Sequence, residues 1–87
     1  MSLDAIIDEI KQERSRQYNL PGSEWDIKNS PNDWIAIAGH YLTDSAKRKG
    51  QPPNMDHWHT NMVKAAAVII AALEHQSTME EQEQRKE

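Results

Sequence analysis

Three observations predict an all-α fold for this chain. Apolar residues recur at helical spacing in three segments, no segment alternates apolar and polar residues as a half-buried strand does, and breaks rich in proline and glycine separate the segments. A chain of 87 residues has room for one core. We predict a compact antiparallel three-helix domain over residues 1–76, with helices at about 3–18, 31–49 and 55–76. Residues 77–87 are charged and lack an apolar period, which predicts a frayed helix or a disordered tail.

The first predicted helix has an apolar face and a polar start. Ser2 is the expected N-cap, and Asp4 follows in the first turn, where the helix dipole favours a negative charge. The segment "NLPGSEWDIKN" then interrupts the pattern, since proline and glycine favour a turn, and it is the longest irregular connection. The apolar face consists of Leu3, Ile6, Ile7, Ile10 and Tyr18.

The second predicted helix begins at "SPND", which places Ser30 at the N-cap, Pro31 at the first helical position and Asp33 at the capping-box position. Three basic residues at positions 47–49, followed by Gly50, have the charge and the glycine expected at a helix C-terminus. We therefore predict that this helix extends to Lys49.

The third predicted helix begins near Met55, after the stiff linker "GQPPN", and contains the apolar run from Ala65 to Leu73. As the most apolar helix, it is expected to lie centrally. Its small residues allow another helix to approach closely, so we predict that a second subunit packs on this side and that the chain is at least a dimer. These small residues are Ala67, Val68, Ala71 and Ala72.

The composition also excludes several classes of protein. A net charge of -4 gives no basis for unspecific binding to nucleic acid, and the basic cluster at 47–49 is short. The longest apolar run is far below the length needed to span a bilayer, and the chain has no cysteine. We expect a soluble cytoplasmic protein that binds neither membranes nor nucleic acid.

Some polar residues fall on the apolar sides of the predicted helices, where they need partners. Arg14 and Gln17 project towards the apolar side of the first helix, and His59 lies on the apolar side of the third. Together with the aromatic residues Trp34 and Tyr41, they define the predicted ligand-binding site. Arg14 is expected to form a structural ion pair or to bind an anionic ligand, and His59 either to be satisfied internally or to face a ligand.

The expected partner of Arg14 is Asp33 or Asp44 on the second helix. His57 and His59 are two residues apart and cannot face one point on a regular helix, so they are not expected to chelate a metal together. The aromatic residues as a group are expected to close the core.

Two pairs of polar residues have the four-residue spacing that could hold a cation, namely His40 with Asp44 and Glu9 with Glu13. Both pairs lie off the apolar faces, Glu13 at the edge of one. We therefore predict that they are solvated surface groups and not metal ligands.

Three segments carry a family resemblance: "EIKQERSRQY", "SPNDWIAIAGHYLTDSA" and "NMVKAAAVIIAALEH". They resemble a family of short phage and prophage proteins of uncharacterised function, over about residues 4–75. More distantly, the chain is similar to the MazG-like all-α nucleotide pyrophosphohydrolases. That resemblance implies a dimer or tetramer and, in active members, Mg²⁺ held by an E-x-x-E and an E-x-x-D motif.

The positions that correspond to these four ligands are Tyr41, Asp44, Asn61 and Lys64, of which only one is a carboxylate. The resemblance therefore implies a non-catalytic homo-oligomer without a cofactor, located in the cytoplasm of a bacterial host. It would bind a protein partner or a nucleotide-like ligand. The alternative is a divergent Mg²⁺-dependent nucleoside triphosphate pyrophosphohydrolase that brings carboxylates together across a subunit interface. Those carboxylates would be Glu9, Glu13, Asp44 and Asp56.

Overall fold

The computed structural model describes residues 2–46 and 50–85, and over these residues it contains helices and connections but no strand. The predicted all-α class is confirmed. None of the described helices is long and apolar enough to cross a membrane. The helices are α1 (Leu3–Tyr18), a 3-10 helix (Ser23–Lys28), α2 (Pro31–Asp44), α3 (Met55–Glu74) and α4 (Gln76–Arg85).

Local capping explains where α1 and α3 begin. The Ser2 hydroxyl accepts a hydrogen bond from the Ala5 N–H at 3.2 Å, and the Asn54 side-chain oxygen accepts one from the His57 N–H at 3.0 Å. Each bond satisfies one of the unpaired N–H groups of a first helical turn. Both helices begin where the sequence predicts. After α1, Gly22 adopts a φ of 94°, which lets the chain turn into the 3-10 helix.

A complete capping box starts α2. The Ser30 hydroxyl accepts the Asp33 N–H at 3.2 Å, and the Asp33 carboxylate accepts the Ser30 N–H at 2.9 Å. The predicted end at Lys49 is wrong, because α2 ends at Asp44. The Ala46 N–H bonds to the Thr43 carbonyl at 3.0 Å, which tightens the last turn and stops the α-helical pattern. The basic cluster at 47–49 lies outside the described residues.

The described end of the chain is helical, which is one of the two states predicted for it. Helix α3 ends at Glu74, and after the single residue His75 the chain continues as α4. Met79 of α4 packs against the buried core. Residues 77–85 are therefore helical, and disorder is the wrong prediction for them, because one apolar residue in α4 gives it a contact with the rest of the fold.

Helix α3 is central, as predicted, since α1, α2 and α4 all pack on it. Helices α2 and α3 are antiparallel: Trp34 near the start of α2 stacks on His75 beyond the end of α3. Helix α1 runs in the same sense as α3, because its middle reaches the start of α3 and Arg14, in its second half, reaches Glu74 at the end of α3. Helices α1 and α3 are therefore parallel, the order that follows when successive helices alternate in direction.

The core is narrow and made mostly of small residues. Trp34 is its only large buried side chain among the described residues, and Ala38, Val68 and Ala71 complete the cluster. The radius of gyration is 15.0 Å, compared with about 12 Å for a compact domain of this length. The molecule measures 48 × 30 × 25 Å and is elongated, so the prediction of a compact domain is wrong.

Candidate functional site

An open apolar groove runs between α2, α3 and α4. Its volume is about 590 Å³. Ile35 and Leu73 belong to its lining and have 68% and 63% of their surface exposed. Glu80 and Glu83 of α4 form its acidic rim. We call this feature the apolar groove; its apolar lining includes Trp34, Ile35, Ala38, Ile69, Leu73 and Met79.

The side of α3 that carries small residues was predicted to be open to a second subunit, but most of it is covered within the single chain. Ala67, Val68 and Ala71 are buried within the single chain, because α1 and α2 already pack closely on this central helix. Ala72, the fourth of these residues, is only partly buried and lines the apolar groove. The large residues Ile69 and Leu73 are the exposed ones. A second subunit therefore cannot pack directly on the buried flank, and the surface that lacks a cover lies on the other side of α3.

A smaller cavity brings together four of the five predicted ligand-binding residues. Arg14, Gln17, Trp34 and Tyr41 line a space of about 210 Å³ that we call the Arg14 cavity. Gly22 and its neighbours in the turn after α1 close one side, and Val68 and Ala71 of α3 another. The fifth predicted residue, His59, is not part of this lining.

Arg14 forms an ion pair, but with a different residue from the two that were predicted. Its Nε donates to Oε1 of Glu74 at 2.9 Å, while Asp33 belongs to the capping box of α2 and Asp44 bonds to Asn61. The Arg14 side chain is mostly covered and that of Glu74 is exposed. The arginine thus joins α1 to the end of α3, a pairing that only the parallel order of these helices makes possible.

Gln17 and Glu13 belong to a polar network between α1 and α3. The Gln17 side-chain amide donates to Glu13 Oε2 at 2.9 Å and to the Lys64 carbonyl at 3.3 Å. Arg16 donates to both oxygens of Glu13, at 2.6 and 2.8 Å. Hydrogen bonding by Arg16 is the main cause of a lowered pKa for Glu13, and the Gln17 bond lowers it further against the opposing effect of burial.

The prediction that Glu9 and Glu13 are solvated surface carboxylates is therefore wrong for Glu13, whose side chain is only 12% exposed. Glu9 contacts His59, with 2.6 Å between its Oε2 and the histidine Nε2. Both side chains of this pair are partly covered. His59 thus has the internal partner that the sequence left as one of two alternatives, and it joins the middle of α1 to the start of α3.

A second polar cluster joins α2 to α3. Asn61 is buried and its amide donates to Asp44 Oδ2 at 3.1 Å. The same oxygen lies 3.0 Å from His57 Nε2, which is 3.3 Å from the Asn61 amide nitrogen. The Asn61 hydrogen bond is the largest cause of a lowered pKa for Asp44, and the nearby His57 adds to it. His57 and His59 contact carboxylates on different helices.

Asn61 was missed as a structural residue by the sequence reasoning, which considered it only as the counterpart of a metal ligand. Its position on α3, facing the end of α2, is the signal that could have identified it. A buried amide must find hydrogen-bond partners. His40, by contrast, is exposed as expected and lies with its ring edge towards Tyr41.

The four positions that correspond to MazG-like metal ligands face one another across α2 and α3. Asp44 contacts Asn61, and the Lys64 ammonium lies 5.8 Å from the centre of the Tyr41 ring. In the part of the chain that the structure describes, no three histidine, aspartate or glutamate side chains come together as a metal site. Glu9, Glu13 and Asp44 have separate partners within the chain, and Asp56 lies exposed in the first turn of α3.

Comparison with known proteins adds no further assignment. No model of a protein family matches the chain, no curated protein sequence matches it, and no solved structure matches it.

Proposed function

We propose that this chain is a non-catalytic helical binding protein that acts as a homo-oligomer, at least a dimer. One observation carries the proposal, namely the amount of uncovered surface. The chain exposes 6745 Å², whereas a compact monomer of 10.0 kDa is expected to expose about 5,200 Å². The excess of about 1,500 Å² exceeds the roughly 800 Å² that each partner buries in a standard protein interface.

The chemistry of the exposed residues supports the same proposal. Burying an isoleucine or leucine side chain contributes about 1.5–3 kcal/mol to stability. Much of that contribution is not realised in the single chain, because Ile35, Ile69 and Leu73 remain exposed while alanines occupy the interior. A short chain with no cysteine needs very good packing or a partner subunit. Association would bury the apolar residues that one copy leaves in water.

The Arg14 cavity supports binding of a small ligand less strongly. Its volume of about 210 Å³ is below the range of roughly 300–1,000 Å³ that is typical of ligand pockets. The Arg14 guanidinium also has a carboxylate partner already, in Glu74. We therefore propose a protein partner and not a nucleotide-like ligand. The resemblance to short phage and prophage proteins is compatible with such a role.

Sedimentation velocity of the full chain over about 1 to 100 µM tests the proposal, since this range covers association free energies of about -5.5 to -8 kcal/mol. We expect a dimer or larger species at the upper end. Circular dichroism at the same concentrations checks that the chain is helical. A folded chain that stays monomeric over the whole range would overturn the proposed function.

A further inference from the structure

We infer that the apolar groove is the surface through which two copies of this chain pair. The inference rests on the proposed homo-oligomeric function and specifies its interface. Other exposed apolar residues exist, such as Leu3 at the start of α1 and Trp25 in the 3-10 helix, but they do not belong to the lining of the groove. The groove combines an apolar concavity with large apolar side chains in its lining that remain exposed.

This combination makes the surface complementary to itself. In a dimer with twofold symmetry, the same patch of both copies forms the interface. Ile35 on α2 and Leu73 on α3 line the groove together with Ala38, and both large side chains remain mostly exposed. In such a pair, the exposed isoleucine and leucine of each copy can pack on the apolar lining of the other.

The area to be covered also favours a second copy over a short peptide. Over the whole chain, about 1,500 Å² more surface is exposed than a compact monomer would expose. An interface of roughly 800 Å² per partner, as a stable pair of proteins buries, is smaller than this excess. A second copy brings its own exposed Ile35 and Leu73, so the apolar side chains of both copies would be buried at once.

The few charged residues around the groove favour association through apolar contacts over association through ion pairs. The only charged residues of its described lining are Glu80 and Glu83, both on the α4 rim, and the remainder is almost entirely apolar. Association driven by apolar burial persists when salt screens surface charges, whereas binding of a basic partner to the acidic rim weakens. Pairing of two copies is accordingly expected to survive about 0.5 M NaCl.

Two matched substitutions in the full chain test the interface. Leu73→Glu places a carboxylate in the groove, and Leu3→Glu places one at the start of α1, where the leucine is 69% exposed. An unpaired carboxylate in an apolar interface costs several kcal/mol, so we expect Leu73→Glu to raise the dimer Kd by at least about 100-fold. Leu3→Glu should change Kd by less than about threefold.

The outcomes separate this inference from the function on which it rests. A monomeric wild-type chain would overturn both. A dimeric wild type whose Kd is unchanged by Leu73→Glu would overturn the interface alone, as would a Leu3→Glu variant that dissociates to the same extent. Dissociation of the wild-type dimer by about 0.5 M NaCl would also count against an apolar interface.

A milder variant tests the same surface if Leu73→Glu fails to fold. The chain contains no cysteine, so Leu73→Cys introduces a single thiol whose alkylation rate reports its exposure. We expect iodoacetamide to react several-fold more slowly with Leu73→Cys at about 100 µM protein than at about 1 µM, because the thiol is covered in the dimer. Leu3→Cys should react at one rate at both concentrations. Equal rates for Leu73→Cys at the two concentrations would overturn the inference.

Discussion

Trp34 provides the most direct test of how the small core is held together. It is the only large side chain among the described residues with less than a tenth of its surface exposed, at 6%. Its indole stacks on His75, with the ring centres 5.6 Å apart, but its N–H is buried and has no hydrogen-bond partner. Truncation and conservative replacement should therefore have very different effects on stability.

The magnitudes follow from these two features. Trp34→Ala removes nearly all the large apolar area of the core and leaves a cavity, at a cost of about 3–5 kcal/mol. Trp34→Phe also loses packing, but it removes a buried N–H whose lack of a partner costs about 1–3 kcal/mol. Because the two effects oppose each other, we expect Trp34→Phe to change stability by less than about 1.5 kcal/mol.

Urea unfolding followed by circular dichroism measures both changes, with all variants at one protein concentration because the proposed association would contribute to stability. In thermal unfolding, Trp34→Ala should lower the melting temperature by more than about 12 °C, since each kcal/mol of lost stability corresponds to about 4–8 °C in a domain of this size. Trp25→Phe is the matched control, because this tryptophan is 58% exposed and its replacement should cost less than about 1 kcal/mol.

A loss of more than about 3 kcal/mol in Trp34→Phe would refute the reasoning, because it would mean that the indole N–H has an acceptor and contributes to stability. A loss below about 1 kcal/mol in Trp34→Ala would refute the assignment of Trp34 as the main core residue.

Three further predictions concern polar residues. Arg16 lowers the pKa of Glu13 below the value of 4.5 that it has in the unfolded chain. The ionised carboxylate therefore stabilises the fold above pH 4.5, and this contribution is lost as the pH falls through the lower pKa of the folded state. Urea unfolding should show a smaller loss of stability in acid for Glu13→Gln than for the wild type, and an equal loss would contradict this linkage. Ser30→Ala removes the cap of α2 and should cost about 1 kcal/mol, or about 4–8 °C in melting temperature. The control Ser15→Ala replaces an exposed serine within α1 and should not lower the melting temperature. With Mg²⁺ or Mn²⁺ and nucleoside triphosphates, we expect the wild type to release pyrophosphate no faster than Asp44→Asn does. Robust release by the wild type that Asp44→Asn abolishes would establish the hydrolase alternative.

The starts of the helices could be predicted because their signals are local. Ser2, Ser30 and Asn54 each accept a hydrogen bond from a backbone N–H three residues ahead, so a few neighbouring residues carry the information. The end of α2 could not be predicted in the same way. Basic residues and Gly50 match a helix terminus in composition, but the turn at Thr43 closes earlier through a backbone hydrogen bond to Ala46.

The candidate site was predicted in part for a similar reason. Helical periodicity places Arg14 and Gln17 on the inner side of α1, and both line the Arg14 cavity. Periodicity contains no information on which residues of α1 lie opposite which residues of α3, so the pairing of Arg14 with Glu74 and the separation of His59 from the cavity could not be derived. The groove was missed because α4 supplies one side of it through Met79, and a single apolar residue produces no detectable period.

The distribution of residue sizes around α3 connects the fold with the proposed assembly. Ala65, Ala67 and Ala71 are buried, and their small side chains allow α1 and α2 to approach the central helix closely. Since these neighbours occupy the small-residue sides, Ile69 and Leu73 point to the side that α4 covers only in part. A chain selected to be stable alone would gain from the opposite arrangement, with large apolar residues inside and small or polar ones outside. The proposed pairing through the apolar groove would account for the arrangement, because a second copy would bury the large residues that the first leaves exposed.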